Sequence, residues 1–120
     1  PGTPQVWYLD LFAGKNDYLA MSRAGTEGHK EINRTNLSID DINEGLTKNI
    51  VKKQLALINI RNRLTAFGGQ LTLESCNTNQ LKLTWKMNND FARLEASLDS
   101  LQFSVSYSEN GKLIKEIFNS

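Results

Sequence analysis

The strict alternation of apolar and polar residues after Gly68–Gly69 constrains the fold of this chain more than any other feature. It is clearest in three runs, at 81–87, 92–98 and 101–107. A shorter run at 71–74 precedes them, and residues 112–118 give a fifth strand after them. Successive side chains of a strand point to opposite faces, so this pattern indicates strands with one buried and one wet face. The second half therefore predicts a five-stranded antiparallel meander covered on one face by a helix.

The segments between these runs carry turn residues. Cys76–Asn79, Asn88–Asp90 and Asp99–Ser100 separate the first four strands, and Asn110–Gly111 separates the last two. Asn-Gly is the strongest short hairpin signal, because both residues tolerate the positive φ that a type I′ turn requires. Consecutive strands are therefore expected to pair with each other.

The first half predicts helices. Asp17–Arg23 fits a short helix, and Ser38 with Asp41 forms a capping box that opens another, to about residue 44. Gly45 is expected to break or bend that helix, and Thr47 to cap a longer one, Thr47–Ala66.

The longer helix has apolar residues on two sides. At 100° per residue they form two nearly opposite stripes: Val51, Leu55 and Ile58 on one, and Ile50, Leu57, Ile60 and Leu64 on the other. A helix that covers a core on one side shows a single stripe, so this one is expected to pack on two bodies. One is the sheet that follows, and the other is polypeptide outside these 120 residues or a partner chain.

The segment Val6–Ala13 is apolar on both faces except at Asp10. This is the pattern of a strand buried on both sides in a parallel sheet, yet the residues that follow offer no parallel neighbour. The interpretation is that the chain is a piece of a longer protein, starting at a last strand. The alternative is an antiparallel edge strand of a small α+β domain.

Composition excludes several classes of function. Fourteen Lys and Arg against thirteen Asp and Glu leave a net charge of +1, which gives no reason to expect a nucleic-acid partner. A lone cysteine, Cys76, excludes an internal disulfide framework and metal sites built on paired cysteines. The longest apolar run is too short to span a bilayer. We expect a cytoplasmic protein without metal, cofactor or membrane partner.

The chain shows no catalytic constellation of its own. His29 is the only histidine, and between Gly28 and Lys30 it fits a solvated loop better than a general base. Cys76 lies in a predicted turn without a nearby histidine, which is typical of an inert surface thiol. The residues alone therefore indicate an accessory α+β domain, and no residue is assigned a catalytic role.

Three segments nevertheless carry a resemblance: Pro1–Tyr8, Leu11–Asp17 and His29–Arg34. Together they closely resemble the C-terminal part of the sucrose phosphorylases, which belong to the α-amylase superfamily of retaining, glucoside-active barrels. The resemblance implies that residues 1–67 are the end of a truncated (β/α)8 barrel, with its last strand, active-site loop and last helices. Residues 68–120 would be the C-terminal antiparallel β domain, giving an α+β chain overall.

The resemblance also implies an activity for the full-length parent. An aspartate would attack the glucosyl carbon of sucrose while a glutamic acid protonates fructose, and inorganic phosphate would then give α-glucose 1-phosphate with retention. Both carboxylates would lie on earlier barrel strands, so this 120-residue piece is expected to be an inactive part of a glycosyltransferase. Arg34, in the Ile32–Arg34 motif, resembles the arginine that reaches the glucose subsite and meets phosphate. Asn33 and Asp17 are the further substrate-binding candidates.

Two alternatives stand beside this function. One is a sister phosphorylase that acts on sucrose 6-phosphate or glucosylglycerate. The other is a non-catalytic carbohydrate-binding or interaction module built on the self-contained meander. If the chain folds alone, its exposed apolar surface predicts dimers or a rearranged N-terminal half.

Overall fold

A computed structural model describes residues 4–109 and 111–118, without the side chains of residue 27 and residues 116–118. Its helices are α1 (Tyr8–Leu11), α2 (Tyr18–Arg23), α3 (Ile39–Thr47) and α4 (Asn49–Arg63), with 3₁₀ turns at Gly25–Lys30 and Thr65–Gly68. Its strands are β1 (Gln70–Leu73), β2 (Gln80–Met87), β3 (Asp90–Ser97), β4 (Gln102–Glu109) and β5 (Lys112–Phe118). The chain divides into two compact units, Pro1–Leu57 and Ile58–Ser120, and the division falls inside α4.

The second unit confirms the predicted meander. Its sheet has the order β1-β2-β3-β4-β5, and every neighbouring pair is antiparallel. Apolar residues align across the strands, for example Leu83 opposite Leu94 and Leu94 opposite Val105. Ala92 and Tyr107 are buried in the same face, and the Phe67 ring lies 5.0 Å from the Trp85 ring. The hydrophobic alternation therefore fixes the register, since a one-residue slip would turn every apolar side chain to the wet face.

The opposite face of the sheet is polar and carries ion pairs. Arg93 Nη2 lies 3.2 Å from Glu74 Oε1, and Lys82 Nζ lies 3.3 Å from Glu95 Oε1. A hydrogen bond from Thr84 is the main cause that lowers the pKa of Glu74. These pairs are half-exposed and cross-strand, so they support register more than stability.

The turns lie where they are predicted, except that the turn before β4 also includes Leu101, which the alternation places in the strand. Asn88 has φ 54° between β2 and β3, and Leu101 has φ 53° before β4. Gly111 has φ 74° in the loop between Glu109 and Lys112, which are paired. Asn110, the other half of the predicted type I′ turn, lies outside the described residues.

The prediction of a strand over Val6–Ala13 is wrong, because the structure forms helix α1 there. A strand satisfies its backbone groups only through a neighbouring ladder. Here the amide of Leu11 donates locally to Trp7 O at 2.9 Å. The helix ends in a Schellman motif, in which Gly14 N donates to Leu9 O at 2.8 Å and Ala13 takes the left-handed position with φ 48°.

The helices of the first unit are mostly as predicted, with two corrections. The capping box of α3 is present, and Asp17 caps α2 through a bond from Ala20 N to its Oδ1 at 2.8 Å. Gly45 does not break α3, which continues to Thr47. Thr47 does not cap α4 either, because its hydroxyl donates to Glu44 O at 2.7 Å within α3.

The two apolar stripes of α4 are covered only in part. Val51 is fully buried and Ile60 is 4% exposed, but Ile50 is 55% exposed and Leu55 is 38% exposed. Each stripe thus carries one buried and one exposed apolar side chain. The prediction that this helix packs on two bodies therefore remains a prediction.

Candidate functional site

The segment 31–35 carries the predicted substrate-binding arginine. It follows the 3₁₀ turn Gly25–Lys30, and Arg34 N donates to Glu31 O at 3.2 Å. Arg34 Nη1 also donates to Glu31 Oε1 at 3.0 Å, with the two side chains 55% and 41% exposed. A guanidinium has five N–H donors, so one bond to Glu31 leaves most of them for a ligand.

Three side-chain hydrogen bonds tie this segment to residues 7–15. Trp7 Nε1 donates to Asn33 O at 2.8 Å, and Tyr8 Oη donates to Thr35 O at 2.9 Å. Thr35 Oγ1 donates in turn to Lys15 O at 2.8 Å. We refer to these three bonds as the Arg34 latch, since they hold the residues on both sides of Arg34.

The latch is supported by its neighbours. The rings of Trp7 and Tyr8 lie 5.1 Å apart, so their two donors come from one packed pair. A main-chain bond from Asp17 N to Ile32 O at 2.7 Å joins the segment to the residues just after 7–15. Segment 31–35 is therefore fixed by several contacts, although no helix or strand contains it.

The other two predicted site residues contribute in different ways. Asp17 lies beside segment 31–35 through its main chain, but its carboxylate caps α2. Asn33 receives the Trp7 bond on its carbonyl oxygen, and the residue is exposed. The structure thus brings Asp17, Asn33 and Arg34 into one region, with only the side chains of Asn33 and Arg34 turned to solvent.

A cavity of about 230 Å³ lies beside the latch. Lys15 and Thr35 line it together with Asp41, Glu44 and Lys48. Lys48 Nζ donates to Ala13 O at 3.2 Å, and the side-chain hydrogen bond from Ser38 is the main cause that lowers the pKa of Asp41. The charged groups of this cavity are balanced in sign, and none of the three predicted site residues lines it.

Sequence reasoning missed the latch donors. Trp7 is 45% exposed, whereas the pattern of its segment assigned it to a core. Trp and Tyr each combine an apolar ring with a hydrogen-bond donor that usually has an acceptor in the folded protein. Their presence is the sequence signal that could have indicated these bonds. Thr35 directly follows Arg34, but its partner lies 20 residues earlier and cannot be read from local pattern.

The remaining sequence candidates stay at the surface. His29 is exposed on the 3₁₀ turn, and Cys76 is an exposed free cysteine whose Sγ lies 2.9 Å from Gln80 O. Within the described residues, no group of three or more His, Cys, Asp or Glu is arranged to hold a metal ion. No helix in the described part of the chain has the length and apolar character needed to span a membrane.

The chain is similar in sequence to several phosphorylases. No family model matches the chain. A sucrose 6(F)-phosphate phosphorylase of Ilumatobacter coccineus is 48% identical over 92% of this chain and 21% of the relative. That of Thermoanaerobacterium thermosaccharolyticum is 38% identical over 96% of this chain and 23% of the relative. A sucrose phosphorylase of Agrobacterium vitis is 32% identical over 90% of this chain and 22% of the relative.

A solved structure agrees with these sequences. The crystal structure of sucrose 6F-phosphate phosphorylase from Thermoanaerobacter thermosaccharolyticum superposes with a TM-score of 0.89 and 36% identity. The match covers 98% of this chain and 24% of that one, and it includes the five-stranded antiparallel sheet. In both fold and sequence, the chain is thus similar to one terminal part of much longer phosphorylases.

The chain is homologous to the C-terminal part of the sucrose and sucrose 6(F)-phosphate phosphorylases, as the resemblance of its first segments predicts. It spans about a fifth of the length of the curated relatives that it matches.

Proposed function

We propose that the parent protein of this chain is a phosphorylase that transfers the glucosyl group of sucrose 6F-phosphate to inorganic phosphate. The observation that carries the proposal is the order of identities. Two sucrose 6(F)-phosphate phosphorylases are 48% and 38% identical to the chain, whereas three sucrose phosphorylases are 35%, 33% and 32% identical. This similarity favours the sister phosphorylase over an enzyme whose donor is sucrose itself.

The proposed reaction is a double displacement. The bond between glucosyl C1 and the fructosyl oxygen breaks as an aspartate takes C1, and a glutamic acid gives the departing oxygen its proton. A phosphate oxygen then attacks C1, the aspartate leaves, and the glutamate takes the proton of the phosphate. The products are α-glucose 1-phosphate and fructose 6-phosphate, and two inversions give retention. Both carboxylates belong to the part of the parent outside this chain.

Arg34 is the residue of this chain that we propose to contact substrate. Its guanidinium offers fixed, forked donors that match phosphate oxygens or sugar hydroxyls. Its 55% exposure and its single bond to Glu31 support the proposal, since donors remain available to a ligand. Asn33 and Asp17 are proposed as further members of the same site beside Arg34.

The donor is tested on the full-length parent. Purified enzyme is supplied with phosphate and either sucrose 6F-phosphate or sucrose, and release of glucose 1-phosphate is followed. We expect kcat/KM to be clearly higher for sucrose 6F-phosphate than for sucrose. A higher kcat/KM for sucrose would make the parent a sucrose phosphorylase, and no product from either donor would overturn a phosphorylase altogether.

The role of Arg34 is tested in the same assay. Arg34→Ala is expected to lower kcat/KM by about 10²–10³, the usual effect of removing one donor to a developing charge. Arg23→Ala is the matched control, because Arg23 is an exposed arginine in the last turn of α2. An Arg34→Ala enzyme as active as the Arg23→Ala enzyme would remove Arg34 from the site.

A binding module is the second candidate, and one surface of the sheet supports it. Thr84, Lys86, Asn88, Phe91 and Arg93 line a cavity of about 520 Å³ on the second unit, with Asn89 beside them. Amides, cations and an aromatic ring are groups that bind sugars. Calorimetry of the 120-residue chain with sucrose 6F-phosphate and sucrose separates the candidates, because Arg34 without the rest of its pocket is expected to bind neither.

A further inference from the structure

We propose that the Arg34 latch is a positioning device, and that Trp7, Tyr8 and Thr35 act on the reaction through the backbone of Arg34. This inference rests on the proposed function, in which Arg34 contacts substrate. None of the three latch residues needs to touch substrate.

The placement of the latch bonds carries the argument. Asn33 O and Thr35 O are the carbonyl oxygens of the residues before and after Arg34, and each accepts one aromatic donor. The Asn33 carbonyl lies in the peptide plane that leads into Arg34, and the Thr35 carbonyl lies in the plane that follows Thr35. The two bonds therefore hold the chain on either side of Arg34 and limit where its side chain starts. The two donors come from consecutive residues, Trp7 and Tyr8. The chain before and after Arg34 is therefore bound to the same short segment.

The third bond of the latch holds Thr35 by its side chain. Thr35 donates to Lys15 O at 2.8 Å, while its own carbonyl accepts Tyr8 at 2.9 Å. Thr35 is therefore held from its side chain and its main chain at once. Glu31 completes the arrangement at the other end of the side chain, since its carboxylate holds Arg34 Nη1 at 3.0 Å.

Exposure separates a positioning role from a stabilising one. Trp7 is 45% exposed and Tyr8 is 36% exposed, so water can replace either bond when it is lost. Such bonds contribute little to the stability of the fold. They can still control the rate, because small displacements of a catalytic contact are costly to the reaction.

The test uses the full-length parent and variants that remove one hydroxyl each. Tyr8→Phe keeps the ring, and Thr35→Val keeps the size of the side chain. We expect each to lower kcat/KM for phosphate about tenfold while the thermal midpoint stays unchanged. Thr35→Ser restores a hydroxyl and is expected to recover activity. Tyr18→Phe is the matched control, because it removes the hydroxyl of a tyrosine on α2 that takes no part in the latch.

A double-mutant cycle distinguishes positioning from a general structural effect. In the Arg34→Ala background, Tyr8→Phe and Thr35→Val are expected to cause no further loss, since the residue they position is gone. Full wild-type activity of Tyr8→Phe and Thr35→Val, or additive losses with Arg34→Ala, would overturn the latch alone. A wild-type parent that forms no glucose 1-phosphate would overturn the proposed function and the role of the latch with it.

Discussion

At the scale of single residues, the adjacent glycines Gly68 and Gly69 show how different the demands on two neighbours can be. A Cβ on Gly69 would lie 2.5 Å from Lys86 C and 2.7 Å from Met87 Cβ, and it would overlap Lys86 O. A Cβ on Gly68 would meet only Met87 Sδ, at 3.6 Å. Backbone atoms leave no room for a side chain at Gly69, whereas a methyl group at Gly68 would make an ordinary contact with a flexible thioether.

These contacts give a matched pair of substitutions. Gly69→Ala is expected to destabilise the chain by about 1–3 kcal/mol, because β2 or the chain before β1 must shift to admit the methyl group. Gly68→Ala is expected to change stability by less than about 0.5 kcal/mol, as surface substitutions usually do. Urea unfolding of both variants measures the difference. Equal midpoints would mean that the approach of Gly69 to Lys86 does not constrain the fold.

The sequence indicates Arg34 as a site residue but not the residues that hold it. The motif that contains Arg34 identifies a candidate, because its residue types and order resemble those of a known family. The residues that hold Arg34 could not be found in this way. Trp7 and Thr35 act on partners far along the chain, so their roles depend on tertiary structure that periodicity does not encode.

At the scale of elements, the capping box of α3 joins sequence to electrostatics. Ser38 N donates to Asp41 Oδ2 at 2.8 Å, and Asp41 N donates to Ser38 Oγ at 3.1 Å. The hydrogen bonds from Ser38 favour the charged carboxylate and lower the pKa of Asp41 below its ordinary value of 3.8. The start of α3 is thus stabilised by an ionised group.

This lowered pKa predicts an acid-dependent loss of stability. A carboxyl whose pKa is depressed by folding stabilises the protein above its unfolded pKa, and that contribution is lost as pH falls through the folded pKa. Asp41→Asn should therefore flatten the fall in thermal midpoint below about pH 4. Asp40→Asn removes the neighbouring first-turn charge and leaves the box intact, so it is the control. Parallel acid profiles for Asp41→Asn and wild type would contradict the prediction.

Elements differed in how well their sequence specified them. The meander was predictable because alternation, turn residues and cross-strand pairing all indicate the same register. The segment Val6–Ala13 was not, because an apolar run of this length suits a buried strand and a short helix equally. Local hydrogen bonds decide for α1, and they place Asp10 in a helix where an exposed carboxylate costs nothing. The same pattern could not reveal which helical residues remain uncovered.

At the scale of the whole molecule, the first unit exposes many large apolar side chains. They include Val6 at 52%, Tyr18 at 62%, Leu19 at 70%, Ile39 at 72% and Ile50 at 55% exposure. Isolated apolar residues at a surface are common, but a concentration of this kind in one small unit is typical of a surface that contacts other polypeptide. The chain also spans only about a fifth of its curated relatives, which contain further polypeptide able to cover it.

The exposure predicts how the chain behaves alone and within its parent. The 120-residue chain is expected to self-associate in sedimentation velocity at micromolar concentration, and Leu19→Glu with Ile39→Glu should reduce that association. In the full-length parent the same pair should destabilise the fold by about 2 kcal/mol or more, because apolar contacts are lost and charges are buried. Leu113→Glu is the control, since Leu113 is 71% exposed on β5 in the other unit. A monodisperse monomer, together with an undisturbed parent carrying both substitutions, would show that these side chains meet no other polypeptide.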